Sequence, residues 1–282
     1  MAQENNEIKP GQSIELLQEL HILTRDAKLN QDSRRKLKQI YHLFQFVEPL
    51  IKKSLESENQ INMVDHGAGK SYLGFIIYDL LIKKLQESHI FGIETRPELI
   101  KKSQEIAQKM NFSRMHFLNL SVADSITSNQ IPAKVDIVTA LHACDTATDD
   151  AIDFAFQKNA KHLVLIPCCQ AEVAATLKKH KAELLHKPQT ELWRHALHTR
   201  EFGSHLTNVL RCLRLESMGY QVTVTEFTGL EHSLKNELII ATKIEKYRPK
   251  QADKLHSLLE EYRLSELSQR FQVQPPTNLA SN

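Results

Sequence analysis

Residues Ile61-Asn62-Met63-Val64-Asp65-His66-Gly67-Ala68-Gly69-Lys70-Ser71-Tyr72-Leu73-Gly74 decide how the rest of this chain is read. Positions 61–64 form a short apolar run of β type, and positions 72–85 carry an amphipathic helical pattern. Between them lies a glycine turn. Glycine lets the backbone pass close beneath a ligand. The helix that follows offers its free N–H groups to an anionic group. Asp65, at the strand end, is placed to orient the turn or to accept from a ligand's ammonium group. Two familiar nucleotide-binding loops fail on spacing. A phosphate-binding loop needs glycine five residues before the Gly69-Lys70 pair, where Val64 stands. A dinucleotide fingerprint starting at Gly67 needs its third glycine at Tyr72.

Outward from this turn, β-type runs alternate with amphipathic helices. Strands are expected over 89–93, 115–120, 135–141 and 162–166, and helices over 97–109 and 148–158. Such alternation predicts an α/β fold with a mostly parallel sheet and helices on both faces. After a helix over 206–218 come two more strands, 220–227 and 237–242. A parallel return needs a long crossover, so these two read as an antiparallel C-terminal hairpin at the sheet edge. The expectation is a seven-stranded, Rossmann-like sheet. Residues 1–57 read as an N-terminal helical extension, 58–245 as the main domain, 170–206 as a helical insertion within it, and 246–282 as a C-terminal helix (252–271) and a frayed tail. The helical pattern of the extension runs from 10 to 53, with an apolar stripe at Leu37, Ile40, Tyr41, Phe44 and Val47. The first ten residues are expected to lack fixed structure.

Composition narrows the class. The chain has 282 residues, 41% hydrophobic and 25% charged, enough to build a core without disulfides or a structural metal. Its four cysteines form no CxxC pair and no secreted-type framework. The polar opening is not a signal peptide, and no apolar run reaches the ~18 residues needed to span a bilayer. A cytoplasmic protein with reduced thiols is expected. The net charge of +2 points to no partner, but local charge does. Residues 25–53 and 177–214 each hold eight Lys/Arg against three Asp/Glu. Two basic lobes attract a polyanion such as RNA; the alternative is a pair of solvated helix faces.

Ligands in open α/β sheets sit beyond the carboxyl ends of the strands. Glu94 ends the second strand, where an acidic side chain can accept both ribose hydroxyls of an adenosyl ligand; the alternative is a surface Glu capping the next helix. Ser121, Val122 and Asp124 follow the third strand, near the expected adenine position; Asp124 reads equally well as a helix cap. The fourth strand ends in Leu141-His142-Ala143-Cys144-Asp145-Thr146 and the fifth in Pro167-Cys168-Cys169-Gln170. His142 and Asp145 are candidate bases or acceptor-positioning groups. The cysteines have three readings. They are small buried fillers, or one is a nucleophile. In the third, His142, Cys144 and Cys168 or Cys169 bind zinc. Vicinal Cys168-Cys169 is poor ligand spacing, so no metal is expected. The loop Glu231-His232-Ser233-Leu234-Lys235-Asn236 is either an acceptor-side loop or an ordinary hairpin connection.

Five βα units closed by a hairpin is the architecture associated with class I methyltransferases. The glycine turn and the segments 141–146, 167–170 and 231–236 together resemble a bacterial group of these enzymes. That group is similar to certain eukaryotic methyltransferase-like proteins. It is more distantly similar to a tRNA 2′-O-methyltransferase family with paired cysteines. The resemblance runs from about Arg34 to Ala241. It implies S-adenosylmethionine binding at Asp65, Gly67, Gly69 and Glu94. It also implies acceptor-side roles for His142, Asp145, Cys168, Gln170, Lys235 and Asn236. With neighbours in sequence, the candidate cofactor set is Asp65, Gly67, Ala68, Gly69, Tyr72, Leu73, Glu94, Ser121, Val122 and Leu141. Relatives usually carry Gly where this chain has Ser71, and Asp where it has Asn208. The expected activity is methyl transfer, with RNA as the leading acceptor. A protein or small-molecule acceptor, or a non-catalytic adenosyl-binding module, is the alternative.

Overall fold

The structure is a computed structural model describing residues 7–141, 146–167, 171–227, 237–244 and 247–273. Its strands are β1 (Asn62–His66), β2 (His89–Glu94), β3 (Met115–Asn119), β4 (Ile137–Ala140), β5 (His162–Leu165), β6 (Tyr220–Glu226) and β7 (Glu237–Lys243). They form one sheet in the order β3-β2-β1-β4-β5-β7-β6. The first five are parallel, while β7 runs antiparallel between β5 and β6. This is the mostly parallel, seven-stranded, Rossmann-like sheet that the alternation predicts.

The helices are α1 (Ile14–Glu19), α2 (Gln31–Ser57), α3 (Tyr72–Leu80), α4 (Pro97–Lys109), α5 (Val122–Thr127), α6 (Thr146–Gln157), α7 (Glu172–Lys179), α8 (Lys181–Leu184), α9 (Ala196–Ser217) and α10 (Pro249–Glu261). The two-residue period of the strands sends neighbouring side chains to opposite faces. Met63, Ile90, Met115, Ile137 and Val164 pack with α1 to α4 on one face. Val64, Phe91, Val138 and Leu163 pack with α5 and α6 on the other. A third cluster joins Val173, Leu177, Trp193, Leu206, Leu210, Leu255 and Phe271, so the insertion and the C-terminal segment share a core.

The structure changes several expected boundaries. The N-terminal helical run breaks between α1 and α2, where His21 and Ala27 take left-handed φ values of 54° and 56°. Asn30 then restarts the helix by accepting from Ser33 N at 2.8 Å. The expected absence of structure in the first ten residues is corrected for 7–10, where Glu7 pairs with Arg34 at 2.7 Å and Lys9 N donates to the Tyr41 hydroxyl at 3.1 Å; residues 1–6 lie outside the described residues. The final helix stops at Glu261 rather than 271, because Arg263 at φ 56° reverses the chain. Leu264 N then donates to Leu259 O at 2.7 Å, which turns Leu264, Leu267 and Phe271 inward.

The direction of α2 matters for the site. Glu58, just past its C-terminal end, pairs with Lys134 and Lys161, which precede β4 and β5. Near its N-terminal end, Lys36 lies 4.9 Å over the ring of Tyr72, the first residue of α3. The helix therefore runs from the carboxyl pole of the sheet to the amino pole, with its basic turns at the carboxyl pole.

Candidate active site at the carboxyl pole of the sheet

β1 extends two residues further than its apolar run, so Asp65 and His66 are strand residues. Asp65 pairs across the sheet with Thr139, whose hydroxyl donates to Asp65 Oδ1 at 2.6 Å. Burial raises the Asp65 carboxyl to about 6; the Thr139 bond opposes this, and nearby Glu94 adds to it. His66 points to the other face, with Nε2 3.0 Å from Ser125 Oγ and its ring edge-on to Phe154. The Ser125 hydroxyl donates to Val122 O at 2.6 Å, so Nε2 carries the proton and donates to it. Burial pushes His66 down to about 3 and keeps it neutral.

The turn after β1 uses the conformations its glycines allow. Gly67 and Gly69 have φ of 64° and 58°. Ser71 also sits left-handed, at φ 50°, and opens α3. A Cβ added at Gly69 would find nothing nearer than 3.9 Å, so the space over the turn is open on that side. Ala68 N donates to Ile93 O at 3.0 Å, which ties the turn to β2.

Glu94 is 5% exposed at the tip of β2. It accepts from Gly69 N at 2.9 Å, from Thr95 N at 2.9 Å and from Arg96 Nε and Nη2 at 3.0 Å each. Burial alone would raise its carboxyl, but the Arg96 guanidinium and the N–H donors of Arg96 and Gly69 hold it at about 2. Glu94 is thus a fixed anion beside the glycine turn. Sequence reasoning missed Arg96 and Thr139. The signal for Arg96 lay in view: a buried carboxylate needs a cation, and Arg96 is two residues away.

Ser121 caps α5, taking Asp124 N at 3.0 Å and donating to Asp124 Oδ2 at 2.6 Å. The cap of α5 is thus Ser121, and Asp124 lies within the first turn of the helix. Val122 and Leu141 are buried beside the tips of β3 and β4. Leu73 packs into the core on the α2 side, while Tyr72 is half-buried beneath Lys36. The described geometry therefore joins Asp65, Gly67, Ala68, Gly69 and Glu94 directly, with Tyr72, Ser121, Val122 and Leu141 around the same pole. The acceptor-side expectations, His142, Asp145, Cys168, Gln170, Lys235 and Asn236, lie outside the described residues, as do Cys144 and Cys169. Among the described residues, no group of three or more His, Cys, Asp or Glu side chains is arranged to hold a metal. Burial raises the Cys212 thiol to about 12, with Glu237 adding to the effect, so it stays protonated. No described helix is long and apolar enough to cross a membrane.

An open α/β sheet with β7 inserted antiparallel, and an acidic residue at the tip of β2 beside a glycine turn, defines the Rossmann-like methyltransferase class. A family profile described as "Methyltransferase domain" matches residues 35–176, half of the chain, and the chain belongs to that family. No curated protein sequence matches. Among solved structures, the chain is similar to SAH-bound methyltransferase PaMTH1 of Podospora anserina: 11% identity, TM-score 0.46, 84% of this chain and 89% of that one. It is also similar to SAH-bound magnesium protoporphyrin IX methyltransferase (ChlM) of Synechocystis PCC 6803: 13% identity, TM-score 0.45, coverage 81% and 94%. A third is an rRNA methylase of Streptococcus thermophilus: 7% identity, TM-score 0.41, coverage 66% and 89%. Likenesses this distant identify no substrate.

Proposed function

We propose that this chain is an S-adenosylmethionine-dependent methyltransferase that modifies RNA in the cytoplasm. The residues present fit the cofactor. Glu94 is a buried, ionised acceptor, and left-handed Gly69 leaves open space on its side of the turn. In this reading Glu94 takes the ribose hydroxyls and Asp65 the ammonium group. The backbone of Gly67, Ala68 and Gly69 cradles the aminoacyl end, with Tyr72 and Leu73 forming the first turn beneath it. Ser121, Val122 and Leu141 flank the adenine. The bound cofactor supplies an electrophilic methyl carbon on a sulfonium. The chain's own task is alignment of the acceptor, which is worth up to ~7–11 kcal/mol when geometry is ideal. His142 and Asp145 are the groups proposed to take a proton where the acceptor carries one. Cys168, Gln170, Lys235 and Asn236 complete the acceptor side.

The observation that carries the RNA reading is the placement of positive charge. Lys36 stacks on Tyr72 at the glycine turn, which puts the basic turns of α2 at the carboxyl pole. The second basic stretch begins in α7, the helix that follows the tip of β5. Its Arg211 and Arg214 are buried in ion pairs with Asp149 and Asp153, so the exposed N-terminal stretch is the one that offers a polyanion positive charge beside the site. The resemblance to a bacterial group related to a tRNA methyltransferase family agrees. The test incubates purified protein and radiolabelled adenosylmethionine with extract of cells lacking the gene, then splits the product with RNase and with protease. Label lost to RNase is expected. Label lost only to protease overturns the RNA acceptor.

A further inference from the structure

Charges centred on buried Asp149 and Arg211 join the first turns of α6 and α7 to α9, β7 and the C-terminal segment. Arg211 is wholly buried, and its Nε and Nη2 donate to Asp149 Oδ1 and Oδ2 at 2.9 and 2.7 Å. Its Nη1 donates to Asn208 Oδ1 at 3.3 Å, and Asn208 Nδ2 donates to Glu237. From the other side, Arg270 Nε donates to Asp149 Oδ2 at 2.7 Å, and its Nη1 to Glu172. Asp149, Glu172 and Glu237 thus belong to one connected group with two arginines.

The three carboxylates have a common position in sequence. Asp149 follows Asp145 by four residues, Glu172 follows Gln170 by two, and Glu237 directly follows Asn236. Each stretch that bears proposed acceptor-side residues is therefore tied at its C-terminal flank to the same group. Apolar side chains of equal volume would stabilise such a place at least as well as buried ion pairs do. Fixed, two-pronged guanidinium geometry offers what apolar packing lacks, namely a defined mutual orientation of its partners.

We propose that Arg211 and Arg270 are positioning residues for methyl transfer, holding the flanks of the three acceptor-side segments in one arrangement. This rests on the acceptor-side reading of those segments. Asn208 suits this role: its amide accepts from Arg211 and donates to Glu237, and an ionised carboxylate could not do both.

The test compares the full-length chain with Arg270→Gln and Asn208→Asp by hydrogen–deuterium exchange, with and without S-adenosylhomocysteine. Arg270→Gln is expected to speed exchange about tenfold, the effect of one lost charged hydrogen bond, over 142–148, 168–173 and 229–237 together. Among the described residues, Arg270 is linked to the last of these through Asp149, Arg211 and Asn208. Asn208→Asp, which sets a carboxylate against Glu237, is expected to act on 229–237 and 142–148. Exchange over 65–72 and affinity for adenosylhomocysteine stay within about twofold. In transfer to total RNA, kcat falls while KM for adenosylmethionine holds. Faster exchange only at the substituted residue's direct partner, or spread evenly over the chain, overturns the proposal. If the unsubstituted protein labels no RNA, the acceptor assignment fails, while the exchange pattern still decides the coupling.

Discussion

Two carboxylates on neighbouring strands, Asp65 and Glu94, have opposite electrostatic fates because their partners differ. Glu94 has a guanidinium and several N–H donors and is held at about 2; Asp65 has one hydroxyl and is raised to about 6. Glu94→Gln is expected to weaken adenosylhomocysteine binding by about tenfold or more, measured by calorimetry, with little change in thermal midpoint. Unchanged affinity would remove Glu94 from the cofactor site. The pH dependence of stability has two opposed parts. Between 3.8 and about 6 the folded chain binds more protons at Asp65 than the unfolded chain does, so this contribution falls as pH rises. His66 and His162, lowered by burial from 6.5 to about 3 and about 4, act in the opposite sense, and their contribution rises with pH. Asp65→Asn removes only the first part while still accepting from Thr139. Its thermal midpoint at pH 7 is expected to rise by a few degrees, with a steeper loss on acidification to pH 5. Parallel pH curves for variant and parent would contradict the raised carboxyl.

At the scale of elements, the insertion depends on a close helix crossing. A Cβ at Gly203 in α9 would lie 2.6 to 2.7 Å from Cβ, Cα and N of Ala174 in α7. Two of those atoms are backbone, so the helices themselves must part. Gly203→Ala is expected to cost about 1–3 kcal/mol, seen as a lower midpoint in chemical denaturation. An unchanged midpoint would mean that the crossing yields freely. The long amphipathic pattern of α2 was legible, since its whole apolar stripe is buried. Six-residue α5 was not, because it is shorter than the window in which a helical period shows. The first half of α9 was read only as part of a helical insertion. Its pattern spreads its apolar residues over partners as distant in sequence as Leu255 and Phe271.

For the whole molecule, function turns on where charge lies relative to the sheet. Arg25 and Lys38 belong to the N-terminal basic stretch and take no part in the cofactor set. Arg25→Glu with Lys38→Glu is expected to weaken RNA binding about tenfold at low salt. It should flatten the salt dependence by about one to three units of log–log slope, with adenosylhomocysteine affinity unchanged. RNA binding that ignores both substitutions would return this stretch to a solvated helix face.

The sequence by itself determined the sheet, the glycine turn and the acid at the tip of β2. Those signals are local: a two-residue or 3.6-residue apolar period, a glycine spacing and a strand end are all written within a few neighbouring residues. It also placed the last two strands antiparallel, because a short connection allows nothing else. Only the tertiary structure decided which charges meet. Arg211 and Asp149 are 62 positions apart, and Arg270 and Asp149 are 121 apart. No period or spacing in the chain joins them. Their pairing follows from α9, which packs on the α6 cluster through Leu215 and on the α7 cluster through Leu206 and Leu210, and a buried arginine takes whichever carboxylates that packing brings within reach.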